Sequence, residues 1–231
     1  MKNKFIFTAI SVILVAFISI TSACGQKSSQ INQTKPKADT KINSKLFGVN
    51  LIKNGGAEAE NVAQWTNAGD DLKTFRYDGG WGDAWQVTPP NHGENFFYTR
   101  VSFESPAVEF SQELDVSEIA KQIDAGSVGY NSGAWFGVRG AAAGRLKVEF
   151  YDANKTLIKR PEDADATEKI TLANRPDDVT MVEKTRAGDV PSGTRKIKIT
   201  LEFSLFEGVS KENEGESPLA DNLSLVLAQK K

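Results

Sequence analysis

The chain has one cysteine, one histidine and two methionines in 231 residues. A single thiol excludes a disulfide framework and any Cys-x-x-Cys metal or redox motif. A single histidine, His92, leaves no zinc-spaced ligand set and no Cys–His or Ser–His–Asp constellation. An excess of positive charge is missing too. The 28 basic and 30 acidic residues are scattered, which excludes the basic surface that a nucleic-acid partner requires. No glycine-rich nucleotide motif follows a strand and opens a helix. No pair of carboxylates is singled out for glycosidase chemistry, so the chain is expected not to be an enzyme. Helical periodicity is equally scarce: "VSEIAKQI", Val116 to Ile123, is one or two turns at most, with Ser117 in the N-cap position.

What is present begins at the N-terminus. Lys2 and Lys4 precede an uncharged apolar run from Phe5 to Ile20, too short for the ~20 residues that span a bilayer and suited to a signal-peptide core. "TSAC" follows, ending in the sole cysteine, Cys24. This segment resembles the lipobox of bacterial lipoproteins. The resemblance implies a signal peptide over residues 1–23 and an acylated Cys24 holding the protein on a membrane. Thr21 stands where that motif has Leu, Val or Ile, so ordinary cleavage leaving a free thiol is the alternative. Residues 24–45, rich in Lys, Ser, Gln and Thr, read as a flexible tether. Gly25 replaces the Asp that retains lipoproteins at the inner membrane of enteric bacteria, so the outer membrane is the expected location.

Residues 46–231 have the size of one domain with its own core. Their period is two. Leu146, Val148 and Phe150 alternate with Lys147 and Glu149, Ile197 to Leu205 alternates with Lys198 to Ser204, and Leu223, Leu225 and Leu227 repeat the device. "AVEFSQELDV" and "FFYTRVSF" are less regular, and Leu46 to Ile52 reads as a first strand. Strands with one apolar and one polar face predict antiparallel sheets packed as an all-β sandwich.

Three ordered segments resemble the galactose-binding-like jelly rolls common among bacterial carbohydrate-binding modules. They are "NGGAE" followed by Trp65, "YNSGAWFGVRGAAAGRLKVEFYDANKTLI", and "VPSGTRKIKITLEFS" leading to "ADNLSLVL". "NLIKN", "WFGVR" and "PSGTR" are similar also to the F-box-associated domain of that superfamily. That family's glycan-binding aromatics are reduced here to Phe206 in the loop before the last strand. The resemblance implies a core position for Trp65; Trp135 is expected to pack between the sheets.

It further implies a structural calcium, with Glu58 and Asp221 as carboxylate ligands and Asn54 as a carbonyl donor. Gly55 and Gly56 would supply the sharp turn a hard cation's oxygen shell needs. The alternative is a plain Asn-Gly-Gly turn with Asp221 at a strand end. A sugar site needs exposed aromatic faces beside polar groups, and "FRYDGGWGDAWQVTPPNHGENFFY" offers both. Tyr77, Trp81, Asp83, His92 and Tyr98 are the candidate ligand-binding residues, Trp81 the foremost platform, with Trp85 assigned to the core. The expected function is a membrane-anchored, non-catalytic glycan-binding domain. The rival is an envelope lipoprotein of the same fold that works through protein contacts.

Overall fold

Alternation of buried and exposed side chains organises the chain into two layers. The computed structural model describes residues 45–59, 61–67, 71–79, 88–139, 142–159, 180–205 and 217–230. They fall in a compact unit spanning Ile42–Lys231. The signal peptide, Cys24, the tether up to Ser44, Trp81, Asp83, Trp85 and Phe206 lie outside the described residues.

One sheet contains β1 (Lys73–Arg76), β2 (Asn95–Tyr98), β9 (Ser217–Gln229), β4 (Val128–Arg139) and β7 (Val182–Asp189), in that spatial order. The other contains β3 (Ala107–Asp115), β8 (Lys196–Leu205), β5 (Ala142–Tyr151) and β6 (Leu157–Lys159). Every described strand pairing is antiparallel. From β2 onward the chain changes sheet at every connection except β5 to β6, the crossing pattern of a jelly roll.

Register turns the alternation into a core. Leu201 faces Phe110 on one side and Leu146 on the other; Ile199 faces Gln112 and Val148; Ile197 faces Leu114 and Phe150. Tyr130, Ala134 and Phe136 of β4, Leu223, Leu225 and Leu227 of β9, and Phe97 close this layer from the opposite sheet. Each fully buried Leu, Ile or Phe contributes about 1.5–3 kcal/mol of transfer free energy. Trp65 occupies the expected core position, 2% exposed, with its ring edge-to-face on Phe97 at 5.9 Å.

Three local expectations need correction. Leu46 to Ile52 is not a ladder strand: it touches β9 through isolated bridges at Phe47 and Asn50. Gly48 turns left-handed at φ 74; its amide and that of Leu51 donate to the Leu227 and Leu225 carbonyls at 2.9 and 2.8 Å, and the Asn50 side chain adds to this pairing. Its Oδ1 accepts the Leu225 amide at 3.0 Å and the Ile52 amide at 3.1 Å, while Nδ2 donates to the Leu223 carbonyl at 2.9 Å. Ser117 does not cap the helical segment. A 3-10 turn, Ser117–Ile119, runs into helix α1, Ala120–Asp124, and the Asp115 carboxylate receives the Ser117 amide at 2.8 Å. Trp135 does not lie between the sheets. Ala134 and Phe136 on either side point into the core, so period two directs Trp135 to the outer face of the five-stranded sheet.

Candidate functional site

Two places gather the chemistry. The first is the corner where the "NGGAE" loop meets β9. Asn54 and Ala57 take left-handed backbone angles, φ 51 and 59, to turn the chain back. Gly55 lies so close to β9 that a Cβ would sit 2.2 Å from the Leu223 carbonyl oxygen, a space only glycine leaves. The Leu223 amide donates to the Gly55 carbonyl at 2.9 Å, fixing loop to strand. The Asn54 side chain spans its own loop, accepting the Ala59 amide at 2.9 Å and donating to the Asn61 carbonyl at 3.3 Å.

Glu58 accepts the Asn95 amide on Oε1 at 2.8 Å, and the Glu94 amide and Asn95 Nδ2 on Oε2 at 3.1 and 3.3 Å. Asp221 is wholly buried, yet it sits within a strand. An extra residue makes this geometry. β9 shifts register between the Gly133–Ser224 and Trp135–Asp221 pairs, with Asn222 left-handed at φ 49. The Tyr77 hydroxyl donates to Asp221 Oδ2 at 2.8 Å, and the Asn222 amide to Oδ1 at 2.6 Å. Burial pushes the Asp221 carboxyl up to about 6; those two donors oppose the shift, the Glu58 charge adds to it and His92 opposes it. Burial, then the charge of Asp221, pushes the Tyr77 phenol far above its ordinary range. The His92 ring packs on Tyr77 at 4.2 Å, and its Nδ1 donates to the Gly93 carbonyl at 2.7 Å.

The corner thus unites residues the sequence assigned to two different sites. Glu58 and Asp221 converge on Gly56, where an added Cβ would lie 3.8 Å from Asp221 Oδ1 and 3.9 Å from Glu58 Cγ. Two hard carboxylates, one of them buried with too little positive charge around it, are the donor chemistry a calcium ion takes. Among the described residues no group of three His, Cys, Asp or Glu gathers there, so loop carbonyls and water would have to complete the shell. Tyr77, 8% exposed, joins this corner instead of offering its ring to solvent.

The second place is the outer face of the five-stranded sheet. The corresponding face of the four-stranded sheet is an ordinary charged surface, on which Arg145 and Lys147 pair with Glu202, and Lys147 also with Glu109. The outer face of β1, β2, β9 and β4 instead carries a second apolar cluster. Tyr77, Phe96, Met181 and Leu219 are buried in it, while Phe75, Tyr98 and Trp135 pack over them half-buried. Phe75 and Tyr98 meet edge-to-face, 5.7 Å apart at 81°, so one ring supplies a floor and the other a wall. Beside them opens a groove of about 410 Å³ lined by Asp71, Lys73, Phe75, Tyr98, Thr99, Arg100 and Ser217. That volume falls within the few hundred cubic ångströms typical of small-molecule sites.

Of the predicted sugar-site residues, Tyr98 lies on this face and His92 and Tyr77 at the corner. Lys73, Phe75, Arg100 and Trp135, which the sequence did not assign to a ligand site, also lie on this face or line its groove. The available signal was phase: in "NFFY", Phe97 points to the core, which puts Phe96 and Tyr98 outside.

No family model matches the chain, and no curated protein matches it. Among solved structures, it resembles the enzymatically active domain of tailspike protein 4 of bacteriophage CBA120 at 18% identity and a TM-score of 0.49. That likeness covers 78% of this chain but 21% of the tailspike chain, so this protein spans about a fifth of it. A family 16 carbohydrate-binding module-2 is similar at 17% identity and a TM-score of 0.47, covering 77% of this chain and 99% of that one. The C-terminal family 22 carbohydrate-binding module of Clostridium thermocellum Xyn10B is similar at 11% and 0.44, covering 78% and 94%.

Proposed function

We propose that this protein is a lipid-anchored, non-catalytic glycan-binding module whose ligand lies across the outer face of the five-stranded sheet. One observation carries the reading: Phe75, Tyr98 and Trp135 are half-buried on a sheet face turned away from the sandwich core, beside a groove of about 410 Å³. A pyranose presents a patch of C–H groups on its ring face and hydroxyls around its rim. Aromatic rings remove the patch from water, and the Asp71, Lys73, Thr99, Arg100 and Ser217 side chains beside them can exchange hydrogen bonds with the rim. Acylated Cys24, followed by the polar tether, would hold the module on the outer membrane. A calcium ion between Glu58 and Asp221 would neutralise the corner's charge and order its loops, with no part in ligand chemistry.

The test is a glycan array probed with the purified protein, followed by titration of any hit against Trp135→Ala and Tyr98→Ala. Binding that weakens about tenfold or more in either variant, with the melting temperature of that variant within a few degrees of the parent, supports the reading. Absence of glycan binding, with and without calcium, would favour the rival role through protein contacts.

A further inference from the structure

The groove beside Tyr98 is not electrically neutral. Lys73 is the direct cross-strand partner of Tyr98, so the two side chains stand next to each other on one face. Arg100 follows Tyr98 by two residues and Asp71 precedes Lys73 by two, and all four line the same groove. Lys73, Arg100 and Asp71 are exposed, and no side-chain ion pair or hydrogen bond joins any of them to another described residue. On the opposite sheet, by contrast, Arg145 and Lys147 are spent on Glu202 and Glu109. Two cations without a side-chain partner among the described residues, and one carboxylate, therefore flank the aromatic rings.

We infer that the groove selects a glycan bearing carboxylates, a uronic-acid oligosaccharide, over a neutral one. The inference rests on the glycan reading above and adds the class of sugar. Arg100 has a planar fork of N–H donors that matches a carboxylate in two-point contact, and Lys73 supplies a mobile point charge across the groove. Asp71 disfavours a densely sulfated chain, which would bring several anions beside it. A sugar with one carboxylate per ring can meet the cations while its hydroxyls donate to Asp71. Because both cations stand in solvent, screening limits the effect, and the preference is expected to be about tenfold and to fade with salt.

The experiment is calorimetric titration of the purified protein with tetragalacturonate and with neutral xylo-, gluco- and mannotetraose, at low and high salt. The Lys73→Gln/Arg100→Gln double variant is run in parallel. The expected result is about tenfold tighter binding of tetragalacturonate at low salt. That preference is lost at about 0.5 M salt and lost in the double variant, whose affinity falls about tenfold more for tetragalacturonate than for any neutral tetraose that binds. Equal affinity for acidic and neutral tetraoses would overturn the inference and leave the glycan reading standing. An acidic preference that survives in the double variant would overturn the assignment to Lys73 and Arg100. Failure of every oligosaccharide to bind would overturn both readings together. Both substituted residues are exposed, and an unchanged melting temperature confirms that the variant is folded.

Discussion

Asp221→Asn should remove a pH dependence of stability that runs opposite to ordinary acid denaturation. The Asp221 carboxyl is raised from 3.8 to about 6 in the fold, chiefly by burial. Between those values the folded protein binds a proton that the unfolded chain releases, so this group's contribution is fully present below pH 3.8 and is lost as pH rises through 6. A shift of that size corresponds to about 3 kcal/mol in all, of which about 2 kcal/mol falls between pH 4 and pH 7. Asp78, Asp115, Asp124 and Glu202 are held below their ordinary values by hydrogen bonds and cations, so they act in the contrary sense and mask the trend in the parent protein. The difference between parent and variant isolates it. The substitution suits the site, because an amide nitrogen can donate to the Tyr77 oxygen while the phenol hydrogen turns to Met181 Sδ, 3.4 Å away. Urea unfolding followed by tryptophan fluorescence at pH 4, 5, 6 and 7, in chelator, measures the effect. The variant should gain about 2 kcal/mol on the parent from pH 4 to pH 7. Stability curves that stay parallel across that range would refute a carboxyl destabilised by burial.

Other consequences follow from the same packing. Asn50→Ala removes two hydrogen bonds between the first segment and β9 and one within the segment, and should cost about 1–2 kcal/mol at this exposed site; faster hydrogen exchange of the Leu225 amide is the check. In Gly144→Ala the new Cβ would stand 2.4 Å from Phe136 Cδ1, a fully buried ring, so a loss of about 1–3 kcal/mol is expected in the urea midpoint. If calcium binds at Glu58 and Asp221, millimolar calcium should raise the melting temperature by about 3 °C or more over chelator, and Glu58→Gln should abolish that difference. Cys24→Ser should move the protein from the membrane to the soluble fraction, detected by fractionation of expressing cells; continued membrane retention would refute acylation.

Strand content and layer class were legible in the residues because a half-buried strand writes its two environments into alternate positions. The strands around Val148, Ile199 and Leu225 follow that rule, and their pairing supplies the core the alternation required. Phase was harder. "GAWFG" has apolar residues at Ala134, Trp135 and Phe136 in succession, so alternation alone does not say which of them faces the core. The register of β4 against β9 decides, and it places Trp135 outside. Leu46 to Ile52 failed for a different reason: among the described residues only the Gly48 and Leu51 amides pair with β9 through backbone, the Asn50 side chain supplies the remaining bonds, and no propensity registers that.

The candidate sites divide along the same line. Asn54, Gly55 and Gly56 announced a sharp turn through their conformational freedom, a local property that survives in any context. That Glu58 would meet Asp221, 163 positions later, with Tyr77 and His92 packed on them, depended on which strands became neighbours. The groove between Lys73, Tyr98 and Arg100 depended on that still more, because it exists only where β1 lies against β2. Local chemistry and periodicity are written along the chain; convergence of distant side chains, and the burial that shifts Asp221, arise only when register and topology set the distances.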